Sequence, residues 1–274
     1  MLELSAEAAE IRRANERSTT DLTAYDFYLR ARAHHMVVDR DRILQALDWL
    51  GQALARDARY APALAQAANF RFHLDINDWA EDAEANRRTA ADLARQAVQA
   101  APDDPEILAR SAFVLAYFGD DIAACLSLVD RSLEVNPSFG EAWGMKGWML
   151  LWAGQPDLAI EHFERAGRYF PRGRWASILT GIGVAHLIGC RFDEAVTAFL
   201  SSLQLAPLFA WGHRSLASCY AHMGRLDEAR EVVRRLRAIT PVIGVIGRGF
   251  PEYRNPEHRD LLLSGLRLAA GDLA

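Results

Sequence analysis

Four glycines, Gly119, Gly154, Gly189 and Gly224, fall at a constant step of 35 residues, and the prolines Pro102, Pro137, Pro171, Pro207 and Pro241 step by 35, 34, 36 and 34. A period of this size marks an array of helical repeats, because one such repeat cannot bury its apolar face alone and must stack on its neighbours. Arrays of this kind bind other proteins or domains and seldom carry out chemistry. The 274 residues therefore set the number of repeats before they set a number of domains.

Each period reads helix, glycine turn, helix, proline turn. The second helix of each carries small or apolar residues at a spacing of four then three: Ala46, Leu50, Ala53; Ala90, Ala94, Ala97; Cys125, Val129, Ser132; Ala159, Phe163, Ala166; Ala195, Phe199, Ser202; and Ala229, Val233, Leu236. That spacing keeps all three residues on one helix face. The small members let two helices approach closely, and the larger middle one fills the layer between them. Proline stops each second helix, since its ring clashes with the preceding turn and it has no amide to donate. Glycine is expected to close each first helix in the left-handed conformation.

Composition excludes several classes. The longest weakly polar stretch, Ser177 to Cys190, has 14 residues and is too short to span a bilayer. The amino terminus lacks an apolar secretion signal, which makes a cytoplasmic location the default. Net charge is -5, and acids such as Asp227, Glu228 and Glu231 flank the cluster Arg234, Arg235, Arg237 on one helix, so the one-sign patch that nucleic acid needs is missing. Cys125, Cys190 and Cys219 are odd in number and far apart, which reads as small buried thiols and not as a disulfide framework or zinc site.

The chain carries little that reads as chemistry. The strings GVIGRG (244–249) and GIGVAHLIG (181–189) lack the strand, G-x-G-x-x-G, helix order of a dinucleotide site. No H-E-x-x-H and no G-x-S-x-G is present, and Ser215 or Ser218 beside His213 and His222 has no visible orienting acid. The acidic run within residues 73–88 lacks the glycine and terminal glutamate of a calcium loop, which leaves a solvated, lengthened helix or loop of about ten extra residues. Asp103 with Asp104, and Asp120 with Asp121, read as helix caps. No catalytic residue, metal ligand or cofactor follows from the sequence.

The segments GQPDLAIEHFERAGRYFP (154–171), GCRFDEAVTAFLSSLQLAP (189–207) and GRLDEAREVVRRLRAITP (224–241) resemble the tetratricopeptide repeat. The resemblance implies an all-α, right-handed solenoid of about six helix pairs plus a C-terminal capping helix. Its repeats run over about 22–58, 62–102, 105–137, 140–171, 174–207 and 208–241, an array of 21–241. Residues 1–20 read as an N-terminal helix left from a preceding domain, and 242–274 as a C-terminal cap built on the amphipathic stretch Glu257 to Ala269.

A narrower likeness lies in DLTAYDFYLRARAHH (21–35), LAYFGDDIAACLSLVDRSLEVNP and GWMLLWAGQPDLAIEHFERA. These look like the C-terminal repeat region of bacterial multidomain proteins that carry a class III adenylate/guanylate cyclase domain or a winged-helix DNA-binding domain ahead of it. The likeness implies a regulatory part of a larger signalling protein, without the cyclase site, since no strand-rich region with paired aspartates is present here.

By the tetratricopeptide resemblance, positions 2, 5, 9, 12 and 13 of each first helix line the concave surface. That register selects Phe113, Tyr117, Trp148, Trp152, His186, Trp211, Arg214 and His222 as the candidate binding groove. Trp, Tyr and Arg dominate binding hot spots. The expected ligand is a protein, a peptide, or another domain of the parent, with neither nucleic acid nor membrane as partner. Two readings of the central aromatics stay open: groove, or core between adjacent repeats. An enzyme with an unseen site and a homodimer are the competing classes.

Overall fold

The computed structural model describes residues 23–34, 39–169, 175–239 and 251–271, and among them are thirteen helices and no strand. The expected remnant helix at 1–20 lies outside the described residues. The chain divides into two compact units, Met1–Phe118 and Gly119–Ala274. The division falls inside the third repeat, between its two helices.

The first unit holds α1 (Ala24–Arg32), α2 (Arg40–Arg56), α3 (Ala61–Ile76), α4 (Ala83–Ala100) and α5 (Pro105–Tyr117). Consecutive helices pack antiparallel in hairpin order, and α3 also touches α5. Short polar side chains start these helices as caps. Thr23 and Asp26 form a reciprocal capping box on α1, while Asp39, Asp82 and Asp104 each accept a first-turn amide. The capping role read for Asp104 is thus observed.

The extra residues of the second repeat lengthen both of its helices. Its α3 has 16 residues and α4 has 18, against 13 for α5 and 14 for the following α6. The turn after α3 uses Asp78 at φ 55°, and the amide of Trp79 donates to the Leu74 carbonyl at 2.8 Å. Asp78 takes the left-handed place that glycine holds elsewhere, a conformation short polar residues tolerate. Of the acidic run, Asp75 is buried, where it accepts from Tyr117 Oη at 3.1 Å and pairs with Arg87 Nε at 3.2 Å.

The second unit holds α6 (Ile122–Val135), α7 (Gly140–Trp152), α8 (Pro156–Tyr169), α9 (Trp175–Ile188), α10 (Phe192–Leu205), α11 (Ala210–His222), α12 (Leu226–Ile239) and α13 (Pro256–Ala270). The six apolar stripes read from the sequence are all buried, from Ala46 to Leu236. Their spacing works because the first helices offer gaps opposite the large middle residue. A Cβ at Gly147 would stand 2.7 Å from the Phe163 ring, and one at Gly181 would stand 2.3 Å from it. The Phe163 ring therefore occupies space that side chains on both α7 and α9 would need.

Two expectations are corrected. Gly154 and Gly224 are left-handed, but in the fifth repeat the left-handed residue is Cys190 at φ 56°, not Gly189. There α9 runs one residue further, and the closing bonds shift with it: Cys190 N donates to Leu187 O at 3.0 Å and Arg191 N to His186 O at 2.8 Å, the pattern that Gly154 and Gln155 make on α7. That same shift leaves the Cys190 thiol exposed, whereas Cys125 and Cys219 are buried as expected.

Candidate functional site

The eight groove candidates fall in different settings. In the first unit Tyr117 is only 2% exposed, and its ring meets Phe72 edge-on at 4.7 Å. Burial and the adjacent Asp75 carboxylate push its phenol well above the ordinary range. Phe113 is half-buried and also meets the Phe72 ring edge-on, at 5.3 Å. Phe72, which is not among the eight candidates, is thus the residue that joins the two.

In the second unit Trp148 is half-buried, its indole N–H reaching Ser177 Oγ at 3.3 Å and its ring lying edge-on to Phe163. Trp152, Trp211 and Arg214 are buried. His186 is half-buried and accepts Arg191 Nε at Nδ1, 2.9 Å away; burial and the Arg191 charge lower its pKa. An accepting Nδ1 fixes the neutral ring with its proton on Nε2. His222 is half-buried, and its Nε2 meets the Leu261 carbonyl at 2.7 Å.

That last bond comes from the segment that follows the last repeat. The segment 251–271 lies against α11 and reaches back to the C-terminal end of α7 and the turn at Gly119. Glu252 comes close enough to Gly119 that a Cβ there would stand 2.9 Å from its carboxylate. Arg254 N donates to the Trp152 carbonyl at 2.7 Å, supplying a partner to the last carbonyl of α7, which has none within its helix. His258 and Asn255 approach Gly154. Then α13 packs chiefly on α11, where Ser218 Oγ donates to Leu262 O at 3.0 Å beside the His222 bond. The helix expected as an end cap therefore sits against Ser218 and His222, positions 9 and 13 of the sixth repeat. The one available signal was Gly265, a glycine inside an apolar helix, which marks close packing.

The first unit presents an inner face of its own. Arg32, Asn69 and Phe113 each follow an alanine with no exposure, Ala31, Ala68 and Ala112, and so occupy equivalent places on α1, α3 and α5. Asn69 is 5% exposed, and its amide nitrogen has no hydrogen-bond partner among the described residues. A cavity of about 50 Å³ opens nearby in sequence terms, lined by Tyr28, Pro62, Ala65, Gln66, Asp104, Glu106, Ile107 and Arg110. Within it Glu106 pairs with Arg110 at 3.0 Å and with Arg32 at 3.4 Å, and Arg32 also donates to Tyr28 Oη at 2.6 Å. Among the described residues no three His, Cys, Asp or Glu side chains gather as metal ligands. No helix among them is long and apolar enough to cross a membrane.

Comparison with known proteins agrees with this architecture. Residues 180–242 match the family described as tetratricopeptide repeat. No curated protein matches the chain. Among solved structures, a human IFIT1 dimer with m7Gppp-AAAA is similar at a TM-score of 0.69 and 20% identity, over 80% of this chain and 51% of that one. The APC/C hetero-tetramer Cut9-Hcn1 is similar at 0.65 and 16% identity, over 96% of this chain and 46% of that one. PilW, a type IV pilus biogenesis factor, is similar at 0.59 and 18% identity, over 84% and 97%. The chain spans about half the length of the first two. At these identities the likeness establishes the fold, a tetratricopeptide-type array of helical hairpins.

Proposed function

We propose that this chain is a non-catalytic protein–protein interaction module that takes polypeptide on the inner faces of its repeats, with the α1, α3 and α5 face of the first unit receiving the external partner. The observation that carries the reading is the seat of residues 251–271 in the second unit. There the inner positions hold a stretch of polypeptide through bonds to its backbone: Trp152 O to Arg254 N, Ser218 to Leu262 O, and His222 to Leu261 O. Contacts to backbone groups ask only for a polypeptide, and flanking pockets supply selectivity.

On the first unit the corresponding ligand contacts are the half-buried Arg32 and Phe113, with the buried Asn69 and Tyr28 shaping the same face. Of the groove candidates, Phe113, Trp148, His186 and His222 are half-buried, His222 being met by Leu261, while Tyr117, Trp152, Trp211 and Arg214 shape the surface from beneath. The partner is a peptide, a protein or another domain of the same parent. Nucleic acid is disfavoured because arginines in and just before α12 are matched in place, Arg225 by Glu228, Arg230 by Asp227, and both Arg234 and Arg235 by Glu231.

The same reading includes a cytoplasmic setting and a 21–241 array within a larger signalling protein of the cyclase or winged-helix type. Its support is the likeness of AYDFYLRA and GWMLLWAG to that group. Peptide-display selection against the full chain tests the central claim. Selected peptides should lose at least about tenfold in affinity, roughly 1.4 kcal/mol, for the double substitution Asn69→Ala with Phe113→Ala while helicity stays unchanged. Peptides indifferent to every inner-face substitution, or turnover of ATP or GTP by the chain itself, would refute it.

A further inference from the structure

We propose that the inner face of the second unit is a docking site for one amphipathic helix, occupied in cis by residues 251–271 and open to a partner helix of the same Leu-x-x-Gly-Leu-x-x-Ala spacing. The proposal rests on the reading that the inner faces bind polypeptide. It adds which class of ligand the second unit takes and what must leave first.

The spacing comes from the side chains that α13 buries. Leu262, Gly265, Leu266 and Ala269 all face inward and are buried, the i, i+3, i+4, i+7 set of a helix laid in a groove. At the crossing point a side chain is forbidden. A Cβ at Gly265 would stand 2.2 Å from Ser218 Oγ, 2.6 Å from the Ser218 carbonyl oxygen and 2.8 Å from His222 Nε2. With no side chain there, Ser218 and His222 reach the carbonyls of Leu262 and Leu261, groups that any helix presents. The seat therefore reads shape and apolar spacing and leaves the outward residues unspecified.

The resident segment does not fit that seat fully. Tyr253 is 8% exposed and its hydroxyl has no hydrogen-bond partner among the described residues; the Nδ1 of His258 is likewise buried without one. Burying a polar group without a partner is unfavourable. Both residues precede the Leu-x-x-Gly-Leu-x-x-Ala core, so a partner helix that supplies the core and lacks these two groups binds the same surface without that penalty. A weakly held cis occupant lowers the apparent affinity of every competitor, which makes the segment a filter against weak ligands.

Two measurements on the full chain test this. Hydrogen exchange of the unsubstituted protein should show the amides of 256–270 exchanging at least tenfold faster than those of α11 and α12. A common rate for all three helices would overturn the proposal, because the segment would then open only with the unit it covers. Second, a fluorescent peptide of residues 251–271 should bind the Gly265→Leu chain at least tenfold tighter than the unsubstituted chain, and the peptide carrying Gly265→Leu should bind neither. Equal affinities with helicity retained would also overturn it. Should Gly265→Leu unfold the unit, the exchange rates decide alone. A concentration-dependent dimer of the unsubstituted chain, seen by light scattering, would assign the site to a second copy and overturn the partner-helix assignment. Peptides selected on the first unit report on Asn69 and Phe113 separately, so either reading can fail while the other stands.

Discussion

The hydroxyl of Tyr117 donates to Asp75 Oδ2 at 3.1 Å, tying the end of α5 to the lengthened part of α3, while Arg87 of α4 holds Oδ1 at 3.2 Å. A carboxylate that is 4% exposed needs such partners, because burying it unpaired is far more costly than exposing it. The inner position of Tyr117 is thus spent on structure. Tyr117→Phe should lower stability by about 1–3 kcal/mol, and Asp75→Ala by more, since it removes one partner from both Tyr117 and Arg87. Urea unfolding followed by circular dichroism measures both. A Tyr117→Phe chain of unchanged stability would show the bond to be idle.

Phe163 and the glycines opposite it predict a coupled pair. Gly181→Ala places a methyl where the ring already stands, 2.3 Å from Cζ, and should cost about 1–3 kcal/mol despite the better helix propensity of alanine. Phe163→Leu alone should also destabilise, by loss of buried ring volume. Together they should cost less than their sum by at least about 1 kcal/mol, because the smaller side chain makes room for the methyl. Additive values would show that the backbone shifts to admit the methyl without help from the ring.

Acid should weaken the first unit through His73. Burial, and then the charge of Arg110, lower its pKa to about 4 from the ordinary value of 6.5. A histidine depressed in this way stays neutral in the folded chain while the unfolded chain takes up a proton. Stability is therefore fully present above about pH 6.5 and is lost as pH falls toward about 4, at no more than about 1.4 kcal/mol per pH unit from this one group. Denaturant midpoints between pH 7 and 4.5 should fall for the unsubstituted chain and fall less for His73→Gln. Parallel curves would place the loss in other groups.

Much of this architecture could be read from spacing alone. The period located the hairpins, and the four-then-three stripes named buried residues from Ala46 to Leu236, because helix geometry fixes which side chains share a face. The candidate site was less legible for the same reason. Register assigns Trp152 and His222 to inner positions, yet it cannot say that Arg254 and Leu261 of the same chain will lie over them. Such contacts join residues far apart in sequence and leave no periodic trace. Tyr117 shows a second limit: its buried hydroxyl bonds to Asp75, which belongs to the residues that break the period.

Cys190 combines two properties that one reagent can separate. Its thiol is exposed, whereas Cys125 and Cys219 are buried and burial pushes the Cys219 thiol up to about 12. The thiolate is the reactive form, so a disulfide reagent at pH 8 should modify one thiol rapidly in the native protein and the other two only as the chain unfolds. Cys190 also holds a left-handed conformation that costs an L-residue roughly 1–2 kcal/mol. Cys190→Gly removes that strain and adds chain entropy to the unfolded state, for a net gain of up to about 1 kcal/mol. The variant should therefore lose the fast-reacting thiol and unfold at slightly higher urea. A lower midpoint would mean that the Cys190 side chain contributes packing at the turn that outweighs its backbone strain.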